Sequence, residues 1–131
     1  MAVEKLEKDW IKYPILHLDL NIEKYDTPES LDKILNDNLE YWESQYGTRP
    51  SETSFSLRFA GIIQRACEKT GQRVVILVDE YDKPMLQAIG NEELQKQFRN
   101  TLKPIYGAFK TKDGYIKFAL LTGVTKFGKV S

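Results

Sequence analysis

The chain has 131 residues, 41% apolar and 29% charged, with two Trp, seven Tyr and six Phe. That is about one domain's length and enough large side chains for one core, which excludes both a disordered tail and a multidomain machine. Nineteen Lys plus Arg balance nineteen Asp plus Glu, so no global field draws a polyanion, and nucleic-acid binding is unsupported.

In chain order, residues 3–11 form an amphipathic segment. Residues 14–20, led by Pro14 and otherwise largely apolar, suit a strand better than a helix interior. Thr27 offers a capping hydroxyl before Pro28, and Leu31, Ile34, Leu35, Leu39 and Trp42 recur at helical spacing until Gly47. A second helix carries Phe55, Phe59, Ile62, Ile63 and Ala66 on one face and ends at Thr70-Gly71, a left-handed cap signal. Residues 73–79 are a β-branched run without polar alternation, the pattern of a strand buried on both faces of a parallel sheet. Asn91 caps a helix with Leu94, Phe98, Leu102, Ile105 and Phe109 inward, which Pro104 should kink or divide. After the turn signal Asp113-Gly114, residues 115–122 form a third strand.

Strands alternating with long helices predict an α/β fold: βαβ units in a three-layer α/β/α arrangement with a mostly parallel sheet, in one domain. Three strands are few for such a sheet, so the chain reads as part of one. Cys67 is the single cysteine and forms no internal disulfide. The polar start is no signal peptide, and no apolar run approaches a membrane span of about 20 residues. A cytoplasmic setting is expected.

Ligands of open α/β sheets bind at the carboxyl ends of the strands. The central strand ends Leu77-Val78-Asp79-Glu80, the form of a Walker B element. Asp79 would hold Mg²⁺ through its water shell, and Glu80 would act as base on the water that attacks a γ-phosphate. Read structurally instead, Asp79 caps the next turn and Glu80 is solvated. Residues 123–129 meet the first part of G-x-x-x-x-G-K-[ST], but Val130 stands where a magnesium-binding hydroxyl is needed, and the chain ends before a phosphate-holding helix.

Asp79-Glu80-Tyr81-Asp82-Lys83-Pro84 after a Val-rich strand, with Leu120-Leu121-Thr122-Gly123-Val124-Thr125-Lys126-Phe127 downstream, resembles the AAA-ATPase-like proteins common in gut and anaerobic bacteria. Glu7-Lys8-Asp9-Trp10, the block from Tyr13 to Asp19, and Glu68-Lys69-Thr70-Gly71 fit the same family in order. The resemblance implies a P-loop ATPase with sheet order 5-1-4-3-2, the present strands being its second, third and fourth. It makes Thr122 the polar sensor of the γ-phosphate, with Thr125 and Lys126 as nucleotide-binding candidates beside it. ATP and Mg²⁺ are the implied ligands of the intact parent.

The family's phosphate loop lies upstream of the matched segment, so these residues read as a fragment carrying Walker B and sensor segments, with no ligand expected on it alone. Losing three or four charged hydrogen bonds removes roughly 5–10 kcal/mol, comparable to the approximately 8 kcal/mol of a micromolar complex. An interaction module working through the exposed edge of the last strand, as a homo-oligomer, is the alternative. A metal-dependent nuclease using Asp79, Glu80 and Asp82 is weaker, because all three acids come from one tip. His17 is the single histidine and reads as structural; Cys67, Trp10, Tyr41 and Trp42 read as packing residues, and Lys103, Lys110, Lys112 and Lys117 as a solvated face.

Overall fold

The computed structural model describes residues 13–21 and 24–123, so the amphipathic segment at 3–11 lies outside the described residues. The elements run β1 (Ile15–Asp19), α1 (Pro28–Tyr46), α2 (Phe55–Thr70), β2 (Val74–Asp79), α3 (Lys83–Gln87), α4 (Glu92–Thr111), a 3-10 turn (Asp113–Tyr115) and β3 (Ile116–Leu121). The three strands form one parallel sheet in the order β1-β2-β3. The β-branched β2 is therefore the central strand, as its continuous apolar run predicted.

Register assigns the two faces. Leu16 pairs with Ile76 and Leu18 with Val78, and these residues join Leu20 and Val74 in one core with Leu35, Phe59, Ile62, Phe98 and Ile105 from the helices. On the other face stand Ile15, His17 and Asp19 of β1, with Val75, Leu77 and Asp79 of β2, because successive side chains alternate. The helices of the described residues thus cover one face of the sheet. The expected second helical layer does not appear among them. Two successive crossovers of the same hand along the order β1-β2-β3 carry both helical connections to the same side.

One irregularity matters for the site. Val74 pairs with Ile116, but Val75 pairs with Phe118, so Lys117 is an inserted residue and β3 changes register there. Phe118 and Leu120 consequently share the face of Val75 and Leu77. In an unbroken register Leu121 would stand beside Asp79; with the bulge, Val78 pairs with Leu121 and Thr122 comes next.

Local signals explain most helix ends. Gly71 adopts the left-handed conformation and its N–H bonds to the Cys67 carbonyl at 2.9 Å. Asn91 accepts the Leu94 N–H at 3.1 Å, and Ser54 accepts that of Leu57 at 3.2 Å. Thr27 departs from expectation: its side chain makes no cap bond, and the Ser30 N–H instead bonds to the Thr27 carbonyl at 3.1 Å. Pro104 does not divide α4. Its ring is on an exposed position, where water can satisfy the carbonyl that loses its N–H partner, while Leu102 and Ile105 on either side are buried. No helix among the described residues is long and apolar enough to cross a membrane.

Two Arg–Glu pairs anchored on α2 hold α1 and the loop that follows it. Arg58 donates to both Glu43 oxygens at 3.0 and 2.9 Å and to Asn36 at 2.9 Å. Arg65 grips both Glu52 oxygens at 2.6 and 2.9 Å and also donates to the carbonyls of Tyr46 and Gly47, at the end of α1. Gly61 leaves room for this grip, because a Cβ at that position would displace the Glu52 carboxylate. Beneath the clamps, Trp42 meets Phe59 edge-on at 5.2 Å, which confirms Trp42 as a packing residue.

The Glu52 side chain is 8% exposed and Arg65 12%, so Arg65→Ala leaves a buried carboxylate without its partner. Chemical denaturation should show a loss of about 3 kcal/mol. The Arg65 hydrogen bond holds the Glu52 carboxyl below the usual carboxylate range, against an opposing push from burial. That contribution is present above the usual range and is lost as pH falls through the lowered value. Glu52→Gln should therefore flatten the acid limb of a stability-against-pH curve; an unchanged limb would contradict the assignment.

Candidate functional site

Asp79 is the last residue of β2, on the sheet face away from the helices. Two neighbouring strands reach it. From the end of β3, the Thr122 hydroxyl donates to Asp79 Oδ1 at 2.9 Å. From β1, His17 Nε2 lies 2.7 Å from Asp79 Oδ2. An ionised carboxylate only accepts, so the imidazole carries its proton on Nε2 in this bond. His17 pairs in register with Leu77, and its ring leans along the strand direction to the residue two places on. The pair is half exposed, at 50% and 44% of the side chains, and exposed pairs contribute little to stability.

The backbone around Asp79 is held on both sides. Leu20 N–H bonds to the Asp79 carbonyl at 3.0 Å, Thr122 N–H to that of Val78 at 2.9 Å, and Tyr81 N–H to that of Thr122 at 2.9 Å. Asn21 N–H bonds to Asp19 Oδ1 at 2.9 Å, and the Asn21 side chain accepts from Lys83 Nζ, joining the end of β1 to the start of α3. Tyr25 N–H reaches Gln87 at 2.7 Å and strengthens the same junction. The site is therefore mounted on three strand ends and a braced loop, not on one mobile segment.

Glu80 follows Asp79 with φ of 58°, the one non-glycine residue with positive φ among the described residues. A Cβ-bearing residue pays roughly 1–2 kcal/mol for the left-handed conformation. Strain of this kind concentrates at functional sites, where it sets the direction of a side chain. Asp82 is the third acid of the tip, and a Cβ on Gly123 would come within 2.9 Å of its Oδ2. Glycine at 123 thus lets the end of β3 pass close to Asp82.

The sequence-predicted residues are partly united. Asp79 and Thr122 meet through a hydrogen bond and Glu80 adjoins them along the chain; Thr125 and Lys126 lie outside the described residues. The sequence reading missed His17 as a partner of Asp79. Its available signal was alternation: in a parallel sheet, His17 and Asp19 share the face on which the tip carboxylate of the next strand would fall. Oxygen donors at the tip suit a hard cation such as Mg²⁺. Among the described residues no three His, Cys, Asp or Glu side chains group as a metal cage; a single tip carboxylate could hold such an ion through its water shell.

Because Glu80 holds its backbone in a region that glycine enters freely, Glu80→Gly should raise thermal stability, by about 1 kcal/mol at the midpoint. A lower melting temperature would show that the Glu80 side chain contributes more to folding than its backbone costs.

All 131 residues match the model of a family described as "Predicted AAA-ATPase". The chain is also 33% identical over 124 residues to a protein of Azotobacter chroococcum mcd 1 named "Uncharacterized protein in vnfD 5'region". That match covers 94% of this chain and 24% of the relative, so the chain spans about a quarter of the relative's length. No solved structure matches. With a family match over every residue and a carboxylate-tipped central strand in a parallel sheet, the chain belongs to the AAA-ATPase-like family.

Proposed function

We propose that these residues form the Walker B and sensor part of a cytoplasmic ATP-hydrolysing core. The observation that carries this reading is the bond from the Thr122 hydroxyl to Asp79 Oδ1 across adjacent parallel strand ends. It links a polar residue able to respond to a γ-phosphate with a carboxylate able to hold the cation bound to that phosphate. The order β3-β2-β1 is compatible with the 4-3-2 part of the 5-1-4-3-2 scheme.

In this reading Asp79 accepts hydrogen bonds from the water shell of Mg²⁺, and its orientation is set by its neighbours. The bound ion supplies charge neutralisation at the phosphate oxygens. Glu80 takes the proton of the attacking water, with its direction fixed by the turn at the end of β2. Thr122, bonded to Asp79, senses the γ-phosphate, and Thr125 and Lys126 follow it along the chain as nucleotide contacts. A phosphate loop is the remaining requirement, and the 131 residues contain no complete G-x-x-x-x-G-K-[ST] pattern.

A second reading is favoured by the exposure of β3. Residues 117–121 are all exposed, including Phe118, Leu120 and Leu121 at 37%, 49% and 37%. A strand of a parallel sheet is ordinarily buried on both faces, so this edge suits pairing with another strand, from a second copy or from elsewhere in a longer chain. The nuclease reading has no such support, since no three-member metal group forms among the described residues.

Isothermal titration of residues 1–131 with Mg-ATP should show no micromolar binding, because the phosphate-loop contacts are worth about as much as such a complex. Low-micromolar binding would contradict the assignment of a half-site. For the edge reading, light scattering should show a mass that rises with concentration; a strictly monomeric mass throughout would count against self-association.

A further inference from the structure

We propose that His17 is a positioning residue for Asp79, one that orients the carboxylate for a divalent cation. The inference rests on the reading of Asp79 as the cation-holding carboxylate and adds a residue outside the Walker B and sensor segments.

Three observations support it. First, the two oxygens of Asp79 are approached from opposite sides of β2, Oδ1 by Thr122 at 2.9 Å and Oδ2 by His17 at 2.7 Å. The terminal torsion of Asp is otherwise broad, so donors on both oxygens restrict the carboxylate plane. Second, the pair is half exposed, and its loss should leave the fold intact. Third, an imidazole donates a hydrogen bond without the permanent positive charge that Lys or Arg would bring, so it can orient the carboxylate and leave its attraction for a cation in place. Partners that orient cation-holding groups change affinity about 10–100-fold when removed.

The test titrates the 131-residue chain with Mn²⁺ to concentrations high enough to populate the weak site that one carboxylate offers without nucleotide, and reads paramagnetic broadening of backbone amide signals at the strand tips by NMR. The proposal expects broadening centred on Asp79 and Thr122, lost in Asp79→Asn. His17→Phe should need about tenfold more Mn²⁺ for the same broadening, and His17→Gln, which keeps an N–H donor, should stay within about twofold of the parent. Broadening that survives Asp79→Asn would refute the cation role of Asp79 itself, and the proposal with it. If Asp79→Asn loses broadening but His17→Phe titrates like the parent, the cation reading stands and the His17 proposal is overturned. Equal weakening in the Phe and Gln variants would likewise overturn it, since the donor would then be irrelevant. A readout in the unsubstituted chain guards against misfolded variants: on Mg²⁺ addition the His17 ring signals should shift along the same saturation curve as the Thr122 amide, and a silent His17 beside a responding Thr122 would contradict the proposal.

Discussion

Side chains from both strands that flank β2 meet Asp79 at its tip, and the register of those strands decides which of their side chains arrive there. On the β1 side, pairing of His17 with Leu77 puts the imidazole two residues short of Asp79 on the same face. On the β3 side, the extra residue Lys117 reverses the alternation of everything after it. Without that bulge an apolar side chain would meet Asp79; with it, a hydroxyl does. A single inserted residue, Lys117, well before Thr122 in the strand, thus decides which side chain meets Asp79.

The rest of the molecule holds that register. The face of Leu16, Leu18, Val74, Ile76 and Val78 is buried against the helices, and a one-residue slip of β1 would expose all of its apolar contacts. The Arg58–Glu43 pair fixes α1 against α2 over this face, and Arg65 ties the loop between them to α2 through Glu52. Where the core is closed, strain is absent from the described backbone; where the site opens, Glu80 takes its positive φ. The closed core and the polar Asp79 tip therefore lie on opposite faces of one small sheet.

Features set by local physics were legible in the sequence. The β-branched run of β2, the Asn91 cap, the left-handed Gly71 and the stop at Gly47 each depend on a few adjacent residues, and each was found where expected. Features set by distant pairing were not. The short α3 has too few residues to display a period, and its position depends on contacts to Tyr25 and Gln95 from other segments. The bulge leaves no mark, because Lys117 is an ordinary residue on an exposed strand. The second helical layer is not found among the described residues, although both faces of the strands are apolar, with Ile15, Val75, Leu77, Phe118 and Leu120 on the face away from the described helices. In the site, Asp79, Glu80 and Thr122 were legible as tip residues, whereas the His17–Asp79 bond required knowing the register.

The most direct test of a cation-holding Asp79 beside a catalytic Glu80 is nucleotide retention in a longer AAA-ATPase-like protein that joins these residues to a phosphate loop. With Glu80→Gln, rapid gel filtration after mixing with Mg-ATP should recover unhydrolysed ATP on the protein, and steady-state turnover should fall by about 100-fold or more, the usual contribution of a general base. Turnover equal to that of the unsubstituted protein, with no ATP retained, would contradict the role of Glu80 and the Walker B reading of the β2 tip.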